Sequence, residues 1–382
     1  MTDADGYPAA NLPYGVDASG RVVVAHGDEV IDLASVPGLG VEPAVWTSGS
    51  LNAFMALGPD AWAHTRRRLQ EVVADLPAPA RRPRSAARLR LAWEVGDYAD
   101  FYACREHAEA MGRMLRPGEE PLPPAWLHLP IGYHGRAGTV VVGGSPVARP
   151  SGLLPGPDGP VFGPSARLDV EVELGFVVGT TVPRGRSVAA RDADRYVFGV
   201  VLVNDWSARD IQSFEYRPLG PFLGKSFATS VSPWVVPLAA LERWRVDGPV
   251  QDPKPADYLH VDEPRGLDVR LSLAVNGSVL SNLSSAGLYW AMAQQLAHLT
   301  VNGAGVRAGD LFASGTISGP EPGTEGSLME KYAGQRWLAD GDTVTITGWC
   351  GDRERGPWLS LGHVDGTVVS HGALVSQEGG AE

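Results

Sequence analysis

The run Leu168-Asp-Val-Glu-Val-Glu-Leu-Gly-Phe176 constrains the fold more than any other stretch, because it alternates between apolar and acidic residues. On an extended strand, side chains two apart share a face. Val170, Val172, Leu174 and Phe176 therefore offer an apolar surface to a core, and Asp169, Glu171 and Glu173 stand together on the opposite face. Three acids at that spacing repel one another. A solvated outer face of a sheet accommodates them, and so does a bound cation that relieves the repulsion. The alternation alone leaves both open.

Two further segments carry polar residues that a core strand or helix would hold rigidly. Tyr196 to Val203 is a continuous apolar strand that runs directly into Asn204-Asp-Trp-Ser-Ala-Arg-Asp210. Asp205 is then either a fixed carboxylate at a strand end or the cap of a turn beginning at Trp206. In Asp97-Tyr-Ala-Asp-Phe-Tyr-Ala-Cys-Arg-Glu-His107, the pattern predicts a helix starting near Tyr102. Asp100 falls near its N-cap, His107 on its second turn, and Cys104, Ala108 and Met111 face inward. A histidine there is a candidate general base or an ordinary core or surface residue.

The remaining chain reads as α+β, mostly β. Short strands around Val22–His26 and Val30–Leu33 flank a Gly27-Asp28 turn, and a helix is expected after Pro59-Asp60 with Trp62, Leu69, Val72, Val73 and Leu76 on its apolar stripe. Pro77 to Ser85 reads as a linker, which puts a domain boundary near residue 90. Beyond it, Leu271, Leu273 and Val275 alternate into Asn276-Gly277, a hairpin signal. Thr343 to Thr347 is another strand, and a helix is expected from about Gly287 to Leu299. With 382 residues, two domains are expected, and 47 Gly with 31 Pro favour turns and short strands.

Composition narrows the function. A net charge of −12 without a basic run argues against nucleic-acid or anionic-membrane partners. Cys104 and Cys350 make neither a disulfide framework nor a zinc-ligand repeat. There is no signal-peptide pattern, and the longest apolar run is too short to span a bilayer, so a cytoplasmic protein is expected. The sequons at Asn276 and Asn282 are then chance. Gly224-Lys225-Ser226 ends like a phosphate-binding loop, but Leu219 occupies the position of its first glycine.

Taken together, the motifs resemble the fumarylacetoacetase family. They are Asn11-Leu-Pro-Tyr-Gly15, Asp97 through His107, Trp126-Leu-His-Leu-Pro-Ile-Gly-Tyr-His-Gly-Arg136, Asp169 through Glu173, Val203 through Gln212, Pro218 through Phe227, and Ala313-Ser-Gly-Thr-Ile-Ser-Gly-Pro-Glu321. They occur in order over nearly the whole chain. The resemblance implies an SH3-like β-barrel domain over residues 1–90, a β-rich mixed sandwich-roll catalytic domain over 91–382, and a homodimer. It implies hydrolysis of 4-fumarylacetoacetate to fumarate and acetoacetate, the last step of tyrosine and phenylalanine breakdown.

By motif position, the resemblance places Ca²⁺ or Mg²⁺ on Asp100, Glu171, Glu173 and Asp205, leaving Asp169 outside that shell. A second, structural position falls at Asp205, Lys225 and Thr229, where lysine could contribute only its backbone carbonyl. His107 would remove a proton from water, with Glu330 as its partner acid, and the cation would stabilise the departing enolate. Arg209, Gln212 and Lys225 would surround the alkoxide, while Tyr102, Arg116, Tyr133, Gln212, Tyr216 and Thr316 would contact the anionic diketo acid. The segment from Lys331 to Asp340 looks shorter than in longer members. One rival is an acylpyruvate or fumarylpyruvate hydrolase of the same superfamily. The rival from another class is a non-catalytic Ca²⁺-binding protein, which would not need His107 and Glu330.

Overall fold

The acid-bearing strand lies at the middle of the molecule's principal sheet. In the computed structural model, which describes residues 6–372, the order across that sheet is Gly132–His134, Tyr98–Phe101, Leu311–Ala313, Val172–Val178, Val197–Asp205, Thr229–Val231 and Val140–Val142. Val236–Pro237 also pairs with Val197–Asp205. Two pairings are parallel, Leu311–Ala313 with Tyr98–Phe101 and Thr229–Val231 with Val140–Val142; the others are antiparallel.

Strand alternation gives this sheet two buried faces. Val172, Leu174, Phe176 and Leu202 belong to one core together with Leu271, Leu273, Val344, Ile346 and Val364. Those partners come from a second sheet ordered Ser278–Ser284, Arg270–Val275, Thr343–Gly351, Trp358–Val369 and Val147–Ala148. The packing is close enough that a Cβ on Gly348 would lie 2.5 Å from Leu202 Cδ2. The expected apolar face, Val170 to Phe176, is thus buried as the alternation requires.

The other face carries Val177, Val201, Val203, Tyr98 and Leu311, and these join the core of an N-terminal five-stranded sheet. That sheet is ordered Arg81–Pro83, Glu29–Asp32, Val22–His26, Tyr14–Asp17 and Leu89–Arg90. Phe198 of the principal sheet sits among Tyr14, Phe54 and Trp62, with ring centroids 5.4, 5.8 and 5.3 Å away. Tyr14 and Val235 exchange backbone hydrogen bonds of 2.8 Å, which join the two sheets. The chain is mostly β, as expected.

Three expectations need correction. The stretch Pro77 to Ser85 is not simply a linker, since Arg81–Pro83 is extended and pairs with Glu29–Ile31 as an edge strand, a place where proline is tolerated. The helix expected from Gly287 starts later, at Met292–Thr300. The N–H groups of Tyr289 and Trp290 donate to Ala103 O, so they cannot enter a helical ladder. The helix expected near Tyr102 also starts later, at Arg105. The helix after Gly58 spans Pro59–Val72, and Asn276 and Gly277 (φ 51° and 77°) form the two-residue hairpin turn between Val275 and Ser278.

Candidate metal and acid–base site

Asp100, Glu173 and Asp205 share the sheet face that also carries Tyr98, Val177 and Val203, and Glu171 lies just outside the strand that holds Glu173. They stand where the N-terminal core no longer covers that face. Register places Glu173 opposite Val203, Asp205 opposite Thr229 and Asp100 opposite Ala313. All four carboxylates are buried, and one oxygen from each lies within 4.8 Å of all the others. The acids therefore line an interior, and the solvated-face reading falls.

This donor set fits a hard divalent cation. Oxygens bound to Ca²⁺ at about 2.4 Å are at most about 4.8 Å apart, so one sphere can contain all four. Asp100 Oδ1 and both Glu173 oxygens are buried without a hydrogen-bond partner, a costly state that a cation would relieve. Burial first, then the neighbouring charge of Asp205, pushes the Asp100 carboxyl well above its ordinary range. Burial and then Asp100 and Asp205 do the same to Glu173.

Glu171 is different. Burial opposes its ionisation, but Lys225, Arg209 and His107 together hold its carboxyl far below the usual range. The Lys225 ammonium contacts both Glu171 Oε2 and Asp205 Oδ2, and Arg209 Nη2 lies 2.7 Å from Glu171 Oε1. Against the cost of burial, Asp205 and Glu171 keep Lys225 protonated. It is the ammonium of Lys225 that meets the acids. Thr229 Oγ1 donates to Asp205 Oδ1 at 3.0 Å, and Tyr133 OH donates to Asp205 Oδ2 at 3.0 Å.

The chain around His107 departs from expectation. Asp100 lies inside the strand Tyr98–Phe101, the helix spans Arg105–Leu115 with Cys104 at its N-cap, and His107 is on the first turn. The reason is that Tyr102 N and Ala103 N still donate to Ile131 O and Ser314 O, which keeps the backbone extended. Cys104, Ala108 and Met111 do face inward. Asp205 likewise ends a strand and caps no helix; the next helix, Arg209–Glu215, begins after Ala208.

His107 Nδ1 lies 2.8 Å from Glu330 Oε2, while its Nε2 lies 3.8 Å from Glu171 Oε1. The imidazole thus bridges an acid partner and the carboxylate group. Burial opposes the charge on Glu330, but His107, Ser327 and Ser318 lower its pKa. Ser327 Oγ donates to Glu330 at 2.7 Å and Ser318 Oγ at 3.1 Å. Neither serine was singled out from the sequence, although Ser327-Leu-Met-Glu330 is a capping-box spacing. Ser327 does cap the turn Leu328–Lys331, accepting from Glu330 N, but the glutamate side chain turns to His107 Nδ1 and the Ser327 hydroxyl instead of to the Ser327 backbone N–H.

The other expected site residues divide. The Tyr102 ring meets the His107 imidazole edge-on at 5.6 Å, and Gln212 Oε1 accepts from Arg209 Nη1 at 3.1 Å. Thr316 is buried with an unpartnered hydroxyl in the loop after Leu311–Ala313. Arg116 ends the His107 helix, where its charge acts on the Tyr102 hydroxyl and its Nη2 donates to Pro121 O at 2.7 Å. Tyr216 ends the Arg209 helix with its ring under the Arg217 guanidinium at 5.3 Å, and it makes no hydrogen bond or ion pair to the four acids. Asp169 is outside the four-acid group, and its Oδ2 accepts from Arg209 Nε at 2.8 Å.

A mixed sheet that buries four carboxylates beside a histidine–glutamate pair sets a group able to hold a metal ion next to a candidate acid–base pair, the make-up of a hydrolase site. Residues 97–369 match the fumarylacetoacetate (FAA) hydrolase C-terminal model, and residues 10–95 match the fumarylacetoacetase N-terminal model. Fumarylacetoacetase of Homo sapiens is 43% identical over 96% of this chain and 97% of its own length. That of Arabidopsis thaliana is 40% identical over 90% of this chain and 91% of its own. A fumarylacetoacetate hydrolase from Exiguobacterium antarcticum shares the fold, with a TM-score of 0.57 at 18% identity, covering 94% of this chain and all of that one. So does a maleylpyruvate hydrolase from Sphingobium sp. SYK-6 in complex with manganese(II) and pyruvate, with a TM-score of 0.56 at 17% identity over 94% of this chain and all of that one. The chain belongs to the fumarylacetoacetate hydrolase family.

Proposed function

We propose that this chain is a fumarylacetoacetase, hydrolysing 4-fumarylacetoacetate to fumarate and acetoacetate with Ca²⁺ or Mg²⁺ held by Asp100, Glu171, Glu173 and Asp205. The observation that carries the mechanism is His107 Nδ1 fixed on Glu330 at 2.8 Å, with Nε2 directed at the carboxylate group. The full-length likeness to fumarylacetoacetases supports the choice of substrate.

Water must add to one carbonyl carbon of the diketone, and the carbon–carbon bond then breaks. The electron pair leaves with acetoacetate as an enolate, which takes up a proton. His107 Nε2 accepts the proton of water, and Glu330 orients the ring and stabilises it once charged, help worth about 10²–10⁴-fold. Lys225, Arg209 and Gln212 supply donors where negative oxygen develops. Bound by Asp100, Glu171, Glu173 and Asp205, a divalent cation would supply Lewis acidity to the reaction. Tyr133 and Thr316 offer hydroxyls to the bound substrate, with Tyr102 and Tyr216 beside it, and the fork of Arg116 suits a substrate carboxylate.

The same reading includes a division near residue 90 into an SH3-like unit and a catalytic unit. It also includes Thr229 and Lys225 as supports of Asp205, a homodimer, and a cytoplasmic place at the end of tyrosine and phenylalanine breakdown. Turnover should be compared on fumarylacetoacetate, fumarylpyruvate and simple acylpyruvates with Mg²⁺ and with Ca²⁺. Preference for fumarylacetoacetate is expected; preference for an acylpyruvate would overturn the assignment, as would full activity after exhaustive chelation.

A further inference from the structure

Asp169 is wholly buried, and four donors converge on it. Its Oδ1 accepts from Val170 N and Leu328 N, each at 2.8 Å. Its Oδ2 accepts from Arg209 Nε at 2.8 Å and Met329 N at 3.2 Å. One carboxylate thus ties together three separate segments: the short strand Leu168–Asp169 just ahead of Glu171, the helix Arg209–Glu215, and the turn Leu328–Lys331.

Each tied segment carries one arm of the site. Arg209 places Nη2 2.7 Å from Glu171 Oε1, so fixing Nε on Asp169 sets where the rest of the guanidinium points. Glu330 follows Met329 directly and holds His107 Nδ1 at 2.8 Å. The Ser327 backbone forms an isolated bridge with Glu171, and Val172 N donates to Gly326 O at 3.0 Å, so this turn lies along the acid strand. Asp169 supplies the charged anchor of that arrangement, and it touches neither the cation group nor the reacting atoms.

We infer that Asp169 is a positioning residue that sets the His107–Glu330 pair and Arg209 in register with the four-carboxylate group. This rests on the hydrolase reading above. The chemistry of the position explains why an acid is required. An amide has one acceptor oxygen and two N–H donors, so in Asp169→Asn the NH₂ group must face either Arg209 Nε–H and Met329 N–H or the N–H groups of Val170 and Leu328. Either way the turn Leu328–Lys331 loses one of its two bonds to residue 169, and in the first orientation Arg209 is released as well.

The test is Asp169→Asn in the full-length protein, with kcat and KM on fumarylacetoacetate, Mn²⁺ affinity, and the downfield proton resonance of the His107–Glu330 hydrogen bond. Outer partners of this kind typically affect activity by about 10–100-fold. A fall in kcat of that size is expected, with Mn²⁺ affinity retained and the downfield resonance shifted or lost. Asp169→Glu keeps the charge on Arg209 and should recover part of kcat despite the extra methylene in a full space. Should the asparagine variant fail to fold, the glutamate variant takes the same measurements, with the resonance expected to move. Wild-type kcat in the asparagine variant would overturn the inference, and so would an unmoved resonance in the folded variant. If the wild type itself does not turn over fumarylacetoacetate, the hydrolase reading fails, while the resonance still decides the role of Asp169.

Discussion

His107 is held through one ring nitrogen and open at the other, and that asymmetry separates its role from that of the acids around it. Replacing it by alanine should lower kcat by about 10²–10⁴-fold while leaving cation affinity in place. Steady-state turnover together with Mn²⁺ titration reads both, and near-normal turnover would remove it as the base. Glu171 should behave in the opposite way. It is the acid that meets Lys225, Arg209 and His107 at once, and its carboxyl is held ionised by them. Glu171→Gln removes one of the four carboxylates proposed to hold the cation and leaves Lys225 with Asp205 as its one acidic partner. The variant should bind Mn²⁺ more weakly than wild type, and unchanged binding would place the cation elsewhere.

At the scale of elements, what positions His107 is the seating of the helix Arg105–Leu115. A Cβ on Gly112 would lie 2.0 Å from Pro121 O, so this helix meets the following loop through bare backbone. Gly112→Ala should cost about 1–3 kcal/mol in denaturant unfolding, as overpacking typically does, and should lower kcat by tilting the helix that carries His107. A stability loss without any change in kcat would show that the helix seat and the base are independent. The strands were the legible part of the sequence. The alternation at Val170 to Phe176, the apolar run to Val203 and the Asn276-Gly277 turn each state their own geometry. The start of the His107 helix was not legible, because its delay is caused by Ile131 and Ser314, far away in sequence, which accept from Tyr102 and Ala103. The Ser318 and Ser327 bonds to Glu330 were hidden for a similar reason, as was the four-donor shell of Asp169. Local pattern reports which face a residue occupies and is silent about what meets it there.

Across the whole molecule, the burial of like charges links stability to pH and to the cation. Asp100 and Glu173 have raised pKa values when folded, so between the ordinary carboxylate range and those raised values the folded state holds more protons than the unfolded one. Stability of the cation-free protein should therefore fall as pH rises through that window. A bound cation removes the penalty and stabilises the folded state by mass action. The rise in Tm on adding Ca²⁺ or Mn²⁺ should accordingly be larger at about pH 8 than at about pH 5.5. Equal shifts at both would show that these two acids do not face the ion. The parallel pairing of Tyr98–Phe101 with Leu311–Ala313 has one more consequence, which concerns synthesis. About two hundred residues separate these strands, and such long-range pairings form late. A nascent chain on the ribosome can display Asp100 long before Leu311 is translated, and Glu330 comes later still. No translation intermediate that stops short of Glu330 can bring Asp100, Asp205 and Glu330 together, so the candidate site stays unassembled until translation has passed that residue.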